Sequence, residues 1–231
     1  MQLAIPAGLT VDQTGVTDPI HYYLRPGVVG WLYRRRIAMG LEMIPPLAPR
    51  ASGLEVGYGS GLVLYNLASH VADLHGLDLD ANPTVVEERL RRVGVSASLV
   101  RGSVLDMRPF YPDARFDLVV CFSVVEHITE SRRALNEMLR VLKPGGVLVI
   151  CMPAVNRLME YAFRAIGFRG IEHHHITTPG HVWGVIRNHP DVLRPMRRSL
   201  PGGLPLSLGL YHTFRVHKRD PALTSMRATP G

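Results

Sequence analysis

Apolar positions along this chain switch between a helical and a strand-like period. After a turn-rich opening, Val28, Val29, Leu32, Ile37, Leu41 and Ile44 recur at helical spacing, and Pro45-Pro46 ends that run. Short apolar stretches and amphipathic ones then take turns. Gly53 to Gly57, Ala72 to Leu79, Ala97 to Arg101, Phe116 to Phe122 and Val147 to Met152 read as strands. Leu62 to His70, Pro83 to Val93 and Ser131 to Leu142 read as helices. Parallel strands need crossover connections, so the alternation predicts an α/β fold, a parallel sheet with helices on both faces. Beyond Pro153, the spacing from Val155 to Ile166 predicts another amphipathic helix. Thr177 or Thr178 is placed to cap a helix reaching about Asn188, with Pro179 in its first turn. Leu210, His212, Phe214 and Val216 alternate as a final strand, and residues 220–231 read as a tail. No repeat and no linker divides the chain.

Composition narrows the class. With 46% hydrophobic and 19% charged residues in 231, the chain is long enough for one core with elaborations and unlike a disordered one. Its longest apolar stretches fall far short of the roughly 20 residues a membrane span needs. Residues 1–10 lack the basic and apolar blocks of a secretory signal, so a cytoplasmic location is expected. Cys121 and Cys151 lie in apolar runs and are expected reduced and buried.

The net charge of +7 is unevenly placed: residues 1–154 hold 15 Lys/Arg and 15 Asp/Glu, whereas residues 155–231 hold 11 and 4. An anionic substrate, a nucleic acid, an acidic partner or a solvated basic face could each use such a segment. No basic motif with interleaved aromatics is present, which disfavours nucleic acid.

The segment richest in chemistry is Leu54-Glu55-Val56-Gly57-Tyr58-Gly59-Ser60-Gly61, a strand running through glycines into a helix. Glycines there permit a tight turn and close backbone approach to a ligand. A dinucleotide fingerprint would need glycine at 62, where this chain has Leu. Glu55 just before the loop would repel a pyrophosphate and favour a ligand with positive charge. Asp78, 21 residues after Gly57, ends the second strand where an acid can accept hydrogen bonds from ribose hydroxyls. Together these describe a nucleoside with a cationic tail.

The motifs from Leu54 to Pro153 resemble those of class I S-adenosylmethionine-dependent methyltransferases. They include Gly76-Leu77-Asp78, Phe116-Asp117-Leu118-Val119-Val120, Val125-Glu126-His127 and Arg140-Val141-Leu142-Lys143-Pro144-Gly145-Gly146. The resemblance implies a Rossmann-like, seven-stranded, mostly parallel sheet whose last strand is antiparallel. It also implies S-adenosyl-L-methionine as cofactor, with Glu55, Gly57, Tyr58, Gly59 and Gly61 at its methionine part. Asp78 and Leu79 would take the ribose side and Ser103 and Val104 the adenine edge, while Phe122 and Ser123 would border the methyl group. Ser103 stands where members often carry an acid, and Tyr58 where a small residue or Cys is common. Tyr58 is expected to cover the cofactor or to pack outward.

A neutral amine acceptor needs little help in such a displacement, whereas a hydroxyl benefits from a base. His127 is the candidate base, and oxygen of a small-molecule acceptor is the favoured target, with nitrogen or carbon open. Cys121-Phe122-Ser123-Val124 is not the Asn-Pro-Pro-aromatic turn that resembles amino-group methylation of adenine or glutamine. In Glu172-His173-His174-His175, a strand would direct His173 and His175 the same way, toward substrate; His181 and His189 lie beyond, and no metal is expected. Tyr22 and Tyr23 are substrate-side candidates on a lid, or packing aromatics. Arg34-Arg35-Arg36 spans three helix faces and reads as solvated surface.

The organisation expected is a helical lid over residues 1–50, a methyltransferase domain over 51–219 with a substrate cover at 154–205, and the tail. The competing functions are a nucleic-acid methyltransferase using the basic third and a non-catalytic cofactor-binding adaptor. The intact Glu55, Gly57, Gly59, Gly61 and Asp78 argue against the latter, and the oligomeric state, monomer or dimer, stays open.

Overall fold

The computed structural model describes residues 3–9, 20–154 and 176–222. The helix expected over 155–166, His173, His175 and residues 223–231 lie outside the described residues.

Two N-terminal helices, α1 (Ile20–Leu24) and α2 (Gly27–Leu41), precede the sheet. There follow β1 (Ser52–Val56), α3 (Leu62–Leu67), β2 (Asp73–Asp78), α4 (Pro83–Arg92), β3 (Ser98–Arg101) and β4 (Phe116–Phe122). After a single 3-10 turn at Val125–His127 come α5 (Ser131–Val141), β5 (Leu142–Pro153), α6 (Pro179–Arg187), β6 (Val192–Leu200) and β7 (Tyr211–Lys218). Local chemistry sets the helix starts. Asn82 Oδ1 accepts from Val85 N at the head of α4, and Thr178 Oγ1 accepts from His181 N at the head of α6, each just before a proline.

The seven strands run in the order β3-β2-β1-β4-β5-β7-β6. The first five are mutually parallel, and β7 is antiparallel to both β5 and β6. The chain reverses its direction of travel between β1 and β4, so their carboxyl ends flank the switch point where open α/β sheets take ligands. Strand periodicity divides the core. Along β4, Leu118, Val120 and Phe122 join the cluster under α2, α3 and α4, while Val119 and Cys121 join the one under α5 and α6. Both cysteines are free and buried.

The sheet differs from the sequence reading in two places. β5 begins at Leu142 rather than Val147, because Leu142 already pairs with Phe116. β6 comes from within the 154–205 stretch expected to be cover, and it forms an edge of the sheet: its period of two is broken by exposed arginines at 194, 197 and 198. Among the described residues, no helix is long and apolar enough to cross a membrane.

Candidate active site

The loop after β1 is held in a shape that few sequences allow. Gly57, Gly59 and Gly61 have φ of +80°, +47° and +87°, the left-handed region that costs an L-residue with a side chain about 1–2 kcal/mol. Space is also short: a Cβ on Gly57 would lie 2.1 Å from Val124 Cγ2. Gly57 N donates to Leu77 O at 2.7 Å and Gly61 N to Tyr58 O at 2.7 Å, which fastens the loop to β2 and closes its turn.

Asp78 pins the same loop. Its Oδ2 accepts from Gly59 N at 2.9 Å, and its Oδ1 accepts from Asp80 N and Ala81 N, each at 2.9 Å. A carboxylate offers about four acceptor positions, so three are occupied by backbone and room for a further donor remains. Leu79, next in the chain, is 61% exposed, uncommon for a side chain of its size at the end of a buried strand. Glu55 is fully buried at the end of β1, in the register of Gly76 on one side and Val120 on the other.

Tyr58 takes neither expected orientation. Its ring turns inward and packs on β2, where a Cβ on Gly76 would lie 2.7 Å from its Cδ1. The hydroxyl is enclosed without a hydrogen-bond partner, and burial first, then the Asp78 charge, raises its pKa. Only the backbone of Tyr58 can therefore face a ligand at the loop. The Ser103 hydroxyl accepts from Leu105 N at 3.2 Å and so shapes its own turn, and Val104 is buried. Phe122 is buried against α2, where a Cβ on Gly40 would sit 2.5 Å from its Cζ.

Around the ends of β4, β5 and β7 a second cluster forms. Ser123, with φ of +58°, donates its N–H to Cys151 O at 2.7 Å, and its Oγ lies 2.7 Å from Tyr211 Oη. Glu126 follows in the 3-10 turn with its side chain 1% exposed and Oε2 without a partner. Burial pushes its pKa up to about 8, so near neutral pH it holds a proton. His127 is half-exposed, its Nε2 4.0 Å from Glu126 Oε1.

The same cluster corrects the reading of the arginine run. Arg35 makes a two-pronged pair with Glu42, at 2.6 and 3.0 Å, and Arg34 Nη1 donates to Tyr23 O at 2.5 Å. Arg36 is not solvated surface. Its Nη2 donates to Tyr23 Oη at 2.9 Å, and its guanidinium carbon lies 4.3 Å from the Tyr33 ring centroid and 5.4 Å from that of Tyr211. Tyr23 is buried edge-on to Tyr33, and Tyr22 stacks on Tyr33. Sequence reasoning missed Arg36, Glu126 and Tyr211. Tyr33 and Arg36 do stand one helical turn apart, which was the available signal.

His181 lies on α6, and His189 Nε2 lies 3.0 Å from Asn136 Oδ1. Among the described residues, no three His, Cys, Asp or Glu side chains group as metal ligands.

Residues 54–150 match the family model described as a methyltransferase domain. The ubiquinone biosynthesis O-methyltransferase of Photorhabdus laumondii is 30% identical over 94 residues, which cover 40% of this chain and 39% of that protein. Nodulation protein S of Rhizobium tropici is 34% identical over 119 residues, 50% of this chain and 49% of that protein. The matches thus span less than half the length of either relative. The crystal structure of N-methyltransferase NodS from Bradyrhizobium japonicum, in complex with S-adenosyl-L-homocysteine, superimposes with a TM-score of 0.61 at 20% identity. It covers 89% of this chain and 94% of that one, a likeness of fold. Residues 54–150 are thus a class I S-adenosylmethionine-dependent methyltransferase domain.

Proposed function

We propose that the protein methylates a small-molecule acceptor, on oxygen, from S-adenosylmethionine held across the ends of β1 and β2. The observation that carries the reading is the glycine loop fixed by Asp78 at the switch point, with the buried carboxylate of Glu55 beside it. These residues fit the cofactor. Glu55 supplies negative charge toward a cationic ligand, Asp78 keeps acceptor capacity for a ribose hydroxyl, and exposed Leu79 offers an apolar face to a base. Backbone at Gly57 to Gly61 takes the methionine part, Ser103 and Val104 flank the adenine edge, and Phe122 and Ser123 border the transfer site.

When bound, S-adenosylmethionine supplies a methyl group already activated on a cationic sulfur. The protein's own work is then to hold the acceptor in line and exclude water. For a hydroxyl acceptor, His127 accepts the proton as the oxygen attacks, and protonated Glu126 beneath it adds no competing negative charge. Residues 1–50 act as the lid, Tyr22 and Tyr23 facing the acceptor side. The small-molecule class is supported by the similarity to ubiquinone biosynthesis O-methyltransferases.

The test is calorimetry with S-adenosylhomocysteine and NAD, followed by mass spectrometry of phenol and amine panels incubated with methyl-labelled S-adenosylmethionine. Binding of the first ligand alone and a labelled methyl ether are expected. Binding of NAD but not S-adenosylhomocysteine would remove the reading, and labelled amines without ethers would move the acceptor atom to nitrogen.

A further inference from the structure

Two exposed apolar elements rise at the carboxyl end of the sheet. The first is the head of α2. That helix lies against β5 and β7: a Cβ on Gly40 would sit 2.5 Å from Cys151 Sγ, and Met43 O accepts from Arg215 Nη1. Val28 stands twelve residues before Gly40, about 18 Å along the helix, whereas β5 has only two residues left after Cys151, about 7 Å. The head of α2 therefore overhangs the sheet. Val28, 68% exposed, and Trp31, 52% exposed, share one face of it, and Leu24 at the end of α1 is exposed as well. The second element is the connection from β6 to β7. Leu200 pairs with Tyr211, and Tyr211 also faces Pro153 at the end of β5, so residues 201–210 project from the same end. Those ten residues carry no charge, and Leu208 among them is exposed.

Cations flank both elements. Arg25 is exposed beside Leu24, and β6 carries exposed Arg194, Arg197 and Arg198, with exposed Met196 between them, straight into the uncharged run. Arg198 has Glu42 at 3.6 Å, but among the described residues no carboxylate pairs with Arg25, Arg194 or Arg197. Residues 176–222 hold seven Lys/Arg against two Asp/Glu, so the potential along this edge is positive. An indole and aliphatic side chains bordered by unpaired arginines suit the interface of a bilayer, where the apolar groups meet acyl chains and the guanidinium groups meet phosphates. A second copy of the chain across a twofold axis would set the same arginines against each other. A nucleic acid would satisfy the arginines and leave the uncharged run and Val28 in water. We propose that this end of the molecule docks on an anionic lipid surface, with the head of α2 and residues 201–210 entering the interface and Arg25, Arg194 and Arg197 on the lipid head groups. The inference goes beyond methyl transfer and does not rest on it. Docking turns the carboxyl ends of the strands toward the lipid, the approach that an acceptor dissolved in a bilayer requires.

The full-length protein is sedimented with vesicles of phosphatidylcholine alone and with vesicles in which about a third of the lipid is phosphatidylglycerol. The wild type should bind the anionic vesicles at least about tenfold more tightly, and raising the salt to about 0.5 M should remove most of that preference. The double variant Val28→Ser, Trp31→Ser should lose about tenfold or more in affinity for the anionic vesicles, since the side chains it shortens no longer enter the interface. Arg194→Gln with Arg197→Gln should lose a similar factor and retain the weak binding to phosphatidylcholine. All these side chains are exposed, so melting temperatures close to wild type are expected, and a variant that melts early is replaced by Leu208→Ser for the apolar arm or by Arg25→Gln for the charged one. Absence of the wild type from both vesicle pellets overturns the proposal, as does binding that neither double variant weakens. A dimer in light scattering that Val28→Ser, Trp31→Ser dissolves would give the face to a second copy, and retention by a single-stranded oligonucleotide without vesicle binding would give the arginines to nucleic acid; either result overturns it. None of these outcomes touches the cofactor reading, which calorimetry with S-adenosylhomocysteine decides separately.

Discussion

The proposed cofactor side and the proposed acceptor side of the sheet edge are assembled from very different lengths of chain. On the first, Glu55, the glycine loop and Asp78 belong to one β-α-β unit, and the bond from Gly59 to Asp78 spans 19 positions. On the second, Tyr23 comes from the N-terminal helices, Ser123 and Glu126 from the turn after β4, and Tyr211 from β7, 88 positions beyond Ser123. A local unit can be rigid in any member of a fold that keeps it. A long-range cluster is free to differ from one member of a fold to another, which is why the proposed acceptor side is placed there.

The largest expected effect tests the rigidity of the first side. Gly57→Ala combines a left-handed backbone with a contact of 2.1 Å to Val124, and it should cost about 2–5 kcal/mol of stability. Gly94→Ala is the control, since its φ of +81° is similar but nothing lies within 4 Å. About 1 kcal/mol is expected there, from the backbone alone. Thermal unfolding of both variants measures the difference. Equal losses would mean that Val124 gives way freely and that the loop is not braced from the β4 side.

That contrast also explains what the sequence reveals. The glycines, Glu55 and Asp78 are close in the chain, and each has a residue-specific reason to be where it is, so their grouping is legible. The strands of β4 and the cap at Thr178 follow equally from period and residue type. Arg36 is different. Its surroundings are Tyr23, Tyr33 and Tyr211, and no pattern in α2 announces a ring arriving from β7. Tyr58 was misleading for a related reason: whether its ring faces in or out depends on the space above Gly76, which is a property of the neighbouring strand. Even Glu126, adjacent to His127, shows its burial only once the return of the chain at Ile176 and Thr177 donates two backbone N–H groups to its carbonyl.

The second effect belongs to the acceptor side and depends on pH. Burial raises Glu126 to about 8 from an ordinary 4.5, so the folded protein holds this proton over a range in which the unfolded chain has released it. Its favourable contribution is complete below the unfolded value and is lost as pH rises to about 8. Within that window stability should decline on the order of 1 kcal/mol per pH unit from this group. Glu126→Gln mimics the protonated form, and its melting temperature should fall less steeply across the window. Parallel profiles for the two proteins would show that Glu126 is ionised in the fold.

Asp78→Ala comes next and should reach both stability and cofactor affinity, because the carboxylate fastens Gly59 and is the group proposed to meet the ribose. Loss of its charge-assisted bonds should weaken S-adenosylhomocysteine binding by about 1–3 kcal/mol. Asp78→Asn retains one oxygen toward Gly59 or the Asp80 turn and should recover part of the melting temperature. An unchanged dissociation constant in Asp78→Ala would take this residue out of the cofactor side.

Tyr211→Phe is the smallest and the most discriminating change. It removes the hydroxyl that lies 2.7 Å from Ser123 Oγ and keeps the ring beside Arg36. One net hydrogen bond is worth about 0.5–1.5 kcal/mol, so a slight drop in melting temperature is expected. Ser123 sits at φ +58°, and without Tyr211 its turn loses one restraint, which should raise the KM for an acceptor several-fold. Affinity for S-adenosylhomocysteine should stay within about twofold, since every bond that shapes the glycine loop lies two strands or more from Tyr211. The ratio of the two effects is the measure of how separable the two sides are. If cofactor affinity falls as far as acceptor KM rises, Ser123 couples them, and acceptor choice cannot be altered in this fold without retuning the cofactor site.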